Sequence, residues 1–187
     1  MGKIIVAQFV TLDGVVEDPD GSGGTPHGGW AFRRSPEAVA GDKFRLGPVL
    51  DTGVNLLGRT TWQLFAGLFP QRSDDFSRKL TAMDKLVASR SLERVDAWAN
   101  STLLRGDLVT AVERRRTSQD VVVTGSGSIV DTLVARGLVD QYRLLVFPTV
   151  LGKGRKLFEA AGAPVDLRLV ASEDAGGGVL RQIYDRP

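Results

Sequence analysis

Residues 121–130 (VVVTGSGSIV) constrain the fold of this chain more than any other segment. A run of β-branched apolar residues ends at two glycines separated by one serine, and a helix-start pattern follows. Glycine has no Cβ, so its backbone can approach a phosphate closely, and the free N–H groups of a first helical turn favour an anion. The segment therefore predicts a strand-to-helix turn that holds a pyrophosphate. Val130 stands where the G-x-G-x-x-G fingerprint has its third glycine, so an ordinary turn is the alternative.

The composition is that of an ordinary globular domain and excludes several kinds of site. A length of 187 residues with 42% apolar and 25% charged residues predicts one domain spanning 1–187. The net charge of +2 is too small for a nucleic-acid interface. Without cysteine and with one histidine, the chain offers no cysteine or multi-histidine metal site, so no metal is expected.

The apolar stretches of the sequence give no sign of a membrane protein. None of them approaches the ~20 residues that a membrane span needs. The N-terminal MGKIIVAQFV has no small-residue cleavage site and predicts a first strand rather than a signal peptide. We therefore expect a cytoplasmic protein with neither a membrane nor a nucleic acid as its partner.

Strand and helix patterns alternate through most of the chain. Buried strands are predicted at 3–10, 54–57, 85–88, 120–124 and 140–147, with a shorter one at 98–101. Helices are predicted at 58–65, from Ser73 onward, after Asp107, and at 128–136. Two alternating segments, 165–171 and 179–184, flank three glycines and predict a terminal hairpin. This alternation predicts an α/β fold with a largely parallel sheet and an antiparallel edge.

The segment between the first and second strands is less regular. Residues 15–30 are rich in Gly, Pro and Asp, and a loop of this length is usually functional or mobile. Trp30, at its end, either covers a pocket as a lid or pins the loop. Ser35 and Pro36 are typical of an N-cap followed by a first helical position, which predicts a helix toward Leu50. Gly47-Pro48 should end or kink that helix.

Two more predicted strand ends carry residues suited to phosphate. Gly58-Arg59-Thr60-Thr61 follows one strand, and Ser89-Arg90 follows another. Open α/β sheets bind ligands at the carboxyl ends of their strands, and arginine can donate two parallel hydrogen bonds to a phosphate. Two arginines near a pyrophosphate turn suggest a further phosphate, as on the 2′ position of NADP. The alternatives are a surface arginine lying over its helix and a plain strand-end turn.

These segments together resemble the dihydrofolate reductase superfamily. LLGRTTWQLF resembles its Gly-Arg-x-Thr-Trp signature, LVASRSL its strand ending in Ser-Arg, and VVVTGSGSIVDTL its pyrophosphate turn. Within the superfamily, TLDG, HGGW and DQYRLLVFPTVLGKGRKLF resemble the reductase domain of bacterial bifunctional riboflavin-synthesis enzymes. The resemblance implies a three-layer dihydrofolate reductase-like fold, with a mostly parallel central sheet and an antiparallel C-terminal hairpin at its edge.

The resemblance also implies NADPH as cofactor. It places Arg59, Thr60 and Thr61 at the cofactor phosphates and Ser89 and Arg90 near the adenosine 2′-phosphate. It assigns the pyrophosphate to the backbone of Gly125, Ser126, Gly127, Ser128 and Ile129.

The activity that the resemblance implies is hydride transfer to a small heterocycle. The expected substrate is of the 5-amino-6-(5-phosphoribosylamino)uracil type, as in riboflavin biosynthesis. A dihydrofolate or pteridine reductase and a non-catalytic nucleotide-binding module are the alternatives. The zinc deaminase half of the bifunctional enzymes needs H-x-E and P-C-x-x-C, which a cysteine-free chain lacks. A homodimer is also implied.

Two aspartates are the candidate catalytic acids. Asp42 lies sixteen residues before Gly58, the interval of the pocket carboxylate in many folate reductases, or else is an exposed helix acid. Asp13 in TLDG is placed near the nicotinamide by the resemblance, or else is a turn aspartate that caps its own backbone.

Three residues are the predicted substrate contacts. The first is Trp30, as the lid aromatic. Lys153 and Arg155 either bind a ribose phosphate or blunt an exposed turn. The lone histidine, His27, is expected to be exposed to solvent rather than catalytic.

Overall fold

The computed structural model describes residues 1–33 and 36–187, and its centre is an eight-stranded sheet. The strands lie in the order β4-β3-β2-β5-β1-β6-β8-β7. Strands β1 to β6 run parallel, whereas β8 is antiparallel to both β6 and β7. The strands are β1 (Ile4–Thr11), β2 (Val54–Gly58), β3 (Asp84–Ala88), β4 (Ser101–Leu103), β5 (Val121–Gly125), β6 (Gln141–Phe147), β7 (Arg168–Asp174) and β8 (Leu180–Asp185).

Helices cover both faces of this sheet. They are α1 (Pro36–Val39), α2 (Val49–Thr52), α3 (Arg59–Leu68), α4 (Asp75–Ala82), α5 (Leu108–Arg116) and α6 (Gly127–Ala135), with a 3₁₀ turn at Phe69–Gln71. Val121 and Val123 pack against α5 and α6, whereas Val122 faces α3 and α4 on the other side. Because alternate strand residues are buried on opposite faces, the strands have the continuous apolar runs that predicted them. The predicted three-layer α/β fold is confirmed.

The predicted helix from Ser35 toward Leu50 is wrong. Ser35 itself lies outside the described residues, and the rest forms two four-residue helices, α1 and α2, joined by turns. The carboxylate of Asp42 accepts hydrogen bonds from the backbone N–H groups of Leu46 and Gly47, at 2.8 and 2.7 Å. Arg45 adopts a left-handed φ of 53°. A local side-chain cap therefore replaces the helix in this segment.

The predicted strand at 98–101 is also wrong. The pairing strand is Ser101–Leu103, which lies beside β3. Trp98 is instead buried in the core, where its ring stacks on Phe69 with the ring centroids 6.1 Å apart. Burial of this aromatic ring, rather than backbone pairing, accounts for the apolar pattern at this point of the sequence.

The C-terminal hairpin ends at an open sheet edge. In β7, Leu169 and Val170 are 51% and 48% exposed. An exposed edge strand of this kind can pair with another chain, so association through the hairpin stays a prediction. Among the described residues, no helix has the length and apolar character needed to cross a membrane.

Candidate functional site

The turns that follow β2 and β5 interlock at the carboxyl edge of the sheet. The two strands pair in parallel, with Leu57 opposite Gly125. A Cβ atom added to Gly58 would overlap the Ser126 hydroxyl and lie 2.8 Å from Ser126 Cβ. A Cβ atom added to Gly125, whose φ is +137°, would lie 2.8 Å from Thr61 Oγ1. Only glycine fits at either position without moving the facing turn.

Two helices begin at these turns without side-chain caps. Neither Gly58, before α3, nor Ser126, before α6, caps its helix through a side chain. By contrast, α4 and α5 are capped by Asp74 and Asp107, which accept from backbone N–H groups at 3.0 and 2.9 Å. The first donors of an uncapped helix need a partner and favour an anion. The carboxyl edge therefore presents two neighbouring helix starts that can bind negative charge.

The predicted pyrophosphate segment lies at the second of these starts. The N–H of Ile129 donates to the Ser126 carbonyl at 3.0 Å, so it is already satisfied. The amides of Gly127 and Ser128 precede this first intrahelical donor. Of the predicted backbone donors, Gly127 and Ser128 are the ones that geometry best suits to an anion.

The structure also brings together the ends of β2 and β3. A guanidinium nitrogen of Arg59 donates to the hydroxyl of Ser91 at 3.3 Å. Ser89 Oγ accepts from the backbone N–H groups of Ser91 and Leu92, at 3.1 and 2.9 Å, and so shapes the turn. Arg59, Thr60 and Arg90 are exposed to solvent. Arg59 and Arg90 thus follow neighbouring strands at this edge, and a guanidinium has paired donors that suit a phosphate.

The first loop is organised around one aspartate. Asp18 accepts hydrogen bonds from the backbone N–H groups of Gly23 and Thr25 at 2.7 and 2.9 Å. The indole N–H of Trp30 donates to the Glu17 carbonyl at 2.8 Å. The Trp30 side chain is only 2% exposed and packs edge-on against Phe147. Trp30 therefore pins the loop, which is one of its two predicted roles, and its contact with a substrate stays a prediction.

Asp13 clamps the loop after β6 to the end of β1. Its carboxylate accepts from the Thr11 hydroxyl at 2.7 Å and from the backbone N–H groups of Gly152 and Leu151 at 2.7 and 3.2 Å. These hydrogen bonds, that of Thr11 foremost, lower the pKa of Asp13 to about 2. A carboxyl group with so low a pKa has no proton to donate at neutral pH. The geometry gives Asp13 a positioning role.

The carboxylate of Asp42 is engaged within its own loop. Both of its carboxylate oxygens accept backbone hydrogen bonds, from Leu46 and Gly47. Its loop reaches Arg143, the third residue of β6, which donates to the Phe44 carbonyl at 3.4 Å. The registers of β5 and β6 against β1 place Arg143 level with the last residues of β5. The assignment of Asp42 and Asp13 as the catalytic acids of one site therefore stays a prediction.

The side chains of Lys153 and Arg155 lie at different places, although only Gly154 separates the two residues in sequence. Lys153 lines a cavity of about 330 Å³ between the two loops, together with Glu17 and His27, which is exposed as expected. The guanidinium of Arg155 lies against Gly127, where an added Cβ would be 3.1 Å from the Arg155 Cζ atom. The two cations therefore lie at different places, one at the cavity and one at the start of α6.

Three residues near this edge were missed by sequence reasoning. They are Ser91, Asp18 and Asp131, the last of which has a carboxylate oxygen 4.0 Å from Arg155 Nε. Ser91 follows the Ser-Arg motif directly, so the motif itself was a signal for it. Asp18 bonds within its own loop, to Gly23 and Thr25. Asp131 depends on a contact with a separate segment, which no local pattern specifies.

Comparison with known proteins gives a consistent result. A family model described as the RibD C-terminal domain matches residues 2–181. The uncharacterized protein YyaP of Bacillus subtilis is 26% identical over 97% of this chain and 94% of its own length. A solved Shewanella sp. PV-4 protein named for riboflavin biosynthesis superposes with a TM-score of 0.74, at 19% identity, over 100% of this chain and 99% of its own. Enterococcus faecalis dihydrofolate reductase, solved with NADP(H), superposes with a TM-score of 0.58, at 13% identity, over 99% of this chain and 96% of its own.

The interlocked turns make a prediction for Gly58. Replacing it with alanine places a methyl group on Ser126, and we expect a loss of about 1–3 kcal/mol in the free energy of unfolding from overpacking. Gly67→Ala is the matched control, since its Cβ meets no atom within 4 Å and alanine favours a helix. Urea denaturation measures both. Equal midpoints for Gly58→Ala and the parent protein would show that the turns are not in tight contact.

The Asp13 clamp makes a prediction for acid stability. A folded-state pKa of about 2, below the ordinary 3.8, means that the ionised carboxylate stabilises the fold above pH 3.8 and that this contribution disappears as the pH falls toward 2. The stability difference between the parent protein and Asp13→Ala should therefore shrink across that window. Denaturant unfolding at several pH values measures it, with the exposed Asp166→Ala as control. A difference independent of pH in this range would contradict the clamp.

Proposed function

The chain belongs to the RibD C-terminal domain family, and on that premise we propose that it is a reductase that uses NADPH. The hydride acceptor that we propose is a small heterocycle of the 5-amino-6-(5-phosphoribosylamino)uracil type. Family membership supports a riboflavin-biosynthesis reductase-like role. The choice of NADPH and of this substrate is our inference.

One observation carries the proposal: two uncapped helix starts meet at the interlocked turns, with two arginines beside them. The close contacts of Gly58 with Ser126 and of Gly125 with Thr61 hold the two helix starts side by side. The amides of Gly127 and Ser128 would hold that pyrophosphate. The exposed Arg90 is the residue that we assign to a 2′-phosphate. The donors present thus fit a phosphorylated dinucleotide.

Arg59 and the two threonines have distinct parts in this arrangement. Arg59, which the Ser91 hydroxyl holds in place, would reach a cofactor phosphate together with the exposed Thr60. Thr61 faces Gly125 and keeps the second turn in position. The turn that Ser89 shapes carries Arg90. In the proposed function these residues bind and orient the cofactor and take no part in proton transfer.

The chemistry divides between cofactor and protein. When bound, the nicotinamide supplies a hydride to a C=N or C=O carbon, and a proton is added to the neighbouring heteroatom. The protein raises the rate chiefly by holding two ring systems at reacting distance. Asp13 contributes by fixing the loop that carries Lys153, the residue that we assign to the substrate's phosphate.

A specific observation favours a second candidate, a nucleotide-binding module without turnover. Both predicted catalytic carboxylates are engaged by backbone N–H groups, Asp13 at Leu151 and Gly152 and Asp42 at Leu46 and Gly47. A reductase with this arrangement takes its proton from water or from the substrate. The two candidates differ in turnover and agree in cofactor binding.

Thermal unfolding with NADPH, NADH and NADP⁺ tests the proposal. A ligand at a hundredfold excess over its Kd adds ~2.7 kcal/mol to the stability, so binding is readily visible. We expect the largest rise with NADPH. A fall in NADPH absorbance when the ribosylaminouracil is added would show turnover. This result distinguishes a reductase from a nucleotide-binding module without turnover. No stabilisation by any dinucleotide would overturn both.

Cofactor choice is tested at Arg90. Arg90→Ala should weaken the binding of NADPH by about 1.5–3 kcal/mol, because a charge-assisted hydrogen bond is lost. The affinity for NADH should stay almost unchanged. Arg136→Ala, at the far end of α6, is the control and should alter neither. Isothermal titration gives both affinities. Equal losses for the two cofactors would remove Arg90 from the 2′-phosphate site.

A further inference from the structure

Arg155 lies across the first turn of α6, where a positive charge is electrostatically unfavourable. Its guanidinium contacts Gly127, the first residue of the helix, and an added Cβ there would overlap it. The positive end of the helix dipole repels a cation at this position. Within the described part of the chain, its ion pair is with Asp131, at 4.0 Å from Nε. That distance is at the limit of an ion pair and offsets little of the repulsion.

The backbone of Arg155 is held firmly although its side chain is exposed. The Arg155 carbonyl accepts from the N–H of Val16 at 2.9 Å, and Leu157 N–H donates to Gly14 O at 2.9 Å. Between them, Lys156 forms an isolated bridge with Val15. These contacts tie the segment to the end of β1. The guanidinium therefore projects toward α6 from a fixed base, which lowers the entropic cost of binding a ligand there.

An anion at this turn would resolve the repulsion. It would accept from the amides of Gly127 and Ser128 on one side and from the guanidinium on the other. Arginine offers parallel N–H donors that match two phosphate oxygens. Lys153, by contrast, lines the separate cavity between the loops, so Arg155 and Lys153 do not share one ligand.

We propose that Arg155 is a cofactor-positioning residue that closes over the pyrophosphate, and that Asp131 competes with the pyrophosphate for it. The inference rests on the proposed function and reassigns Arg155 from the substrate to the cofactor. Before binding, Asp131 holds the guanidinium beside the helix start. On binding, the guanidinium moves from this carboxylate to the pyrophosphate, which both NADPH and NADH contain.

The first test compares cofactors in Arg155→Ala. Isothermal titration should show about a ten- to hundredfold loss of affinity that is equal for NADPH and NADH. This pattern differs from that expected for Arg90→Ala, which affects NADPH alone. Arg155→Lys should recover part of the affinity, since a lysine keeps the charge but not the paired donors. Arg136→Ala again serves as the control.

The second test removes the charge of Asp131, which competes with the pyrophosphate for Arg155. Asp131→Asn should increase the affinity for both dinucleotides about two- to fivefold, because the surface ion pair no longer holds the guanidinium. In the Asp131→Asn, Arg155→Ala double variant this gain should vanish. A gain that persists without Arg155 would show that Asp131 acts on the helix start directly, and would overturn the competition.

Inorganic pyrophosphate separates failure of this inference from failure of the proposed function. If the parent protein binds both dinucleotides and Arg155→Ala binds them equally well, the inference is wrong and the function stands. If the parent binds neither dinucleotide but binds pyrophosphate in an Arg155-dependent way, the arginine's role stands and the dinucleotide function falls. Absence of binding to all three probes would overturn both.

Discussion

The close contact between the turns after β2 and β5 is the constraint on which the candidate site depends. Neither Gly58 nor Gly125 has room for a side chain, because the hydroxyls of Ser126 and Thr61 occupy the space. Pairing of β2 with β5 places the two turns side by side at the edge. As a result α3 and α6 begin next to each other, and neither helix start has a side-chain cap. Chain order alone would leave these helices sixty-eight residues apart at their starts.

Most of the sheet could be predicted because its strands are buried on both faces. Such strands have predominantly apolar sequences, as in β1 and β5, and are bounded by glycine or polar residues. The helix toward Leu50 could not be predicted, because the Asp42 carboxylate takes the N–H groups of Leu46 and Gly47 that a helix would have used. One local hydrogen-bond competition thus outweighs the helical pattern of the whole segment.

The sequence predicts many of the residues of the candidate site, but it does not predict which residues they contact. Strand ends are visible in sequence, so Arg59, Ser89 and the glycines of the second turn could be found. The clamp from Asp13 to Gly152 spans 139 residues, and the contact of Arg155 with Gly127 also joins separate segments. Such contacts follow from which strands neighbour each other, and the order of strands is not encoded in any single motif. Trp30 shows the same limit, since its burial against Phe147 depends on β6.

The three aspartates near the loops have a common physical role. Asp13, Asp18 and Asp42 each accept hydrogen bonds from backbone N–H groups of loop residues. At Asp13 these hydrogen bonds, that of Thr11 foremost, lower the pKa of the carboxyl group to about 2, so Asp13 is a poor proton donor. These acids therefore hold loops in place, and the carboxyl edge is left with amides and arginines. An edge of this composition is suited to binding phosphates and orienting a reactive ring, so in the proposed reductase positioning outweighs acid–base catalysis by the protein.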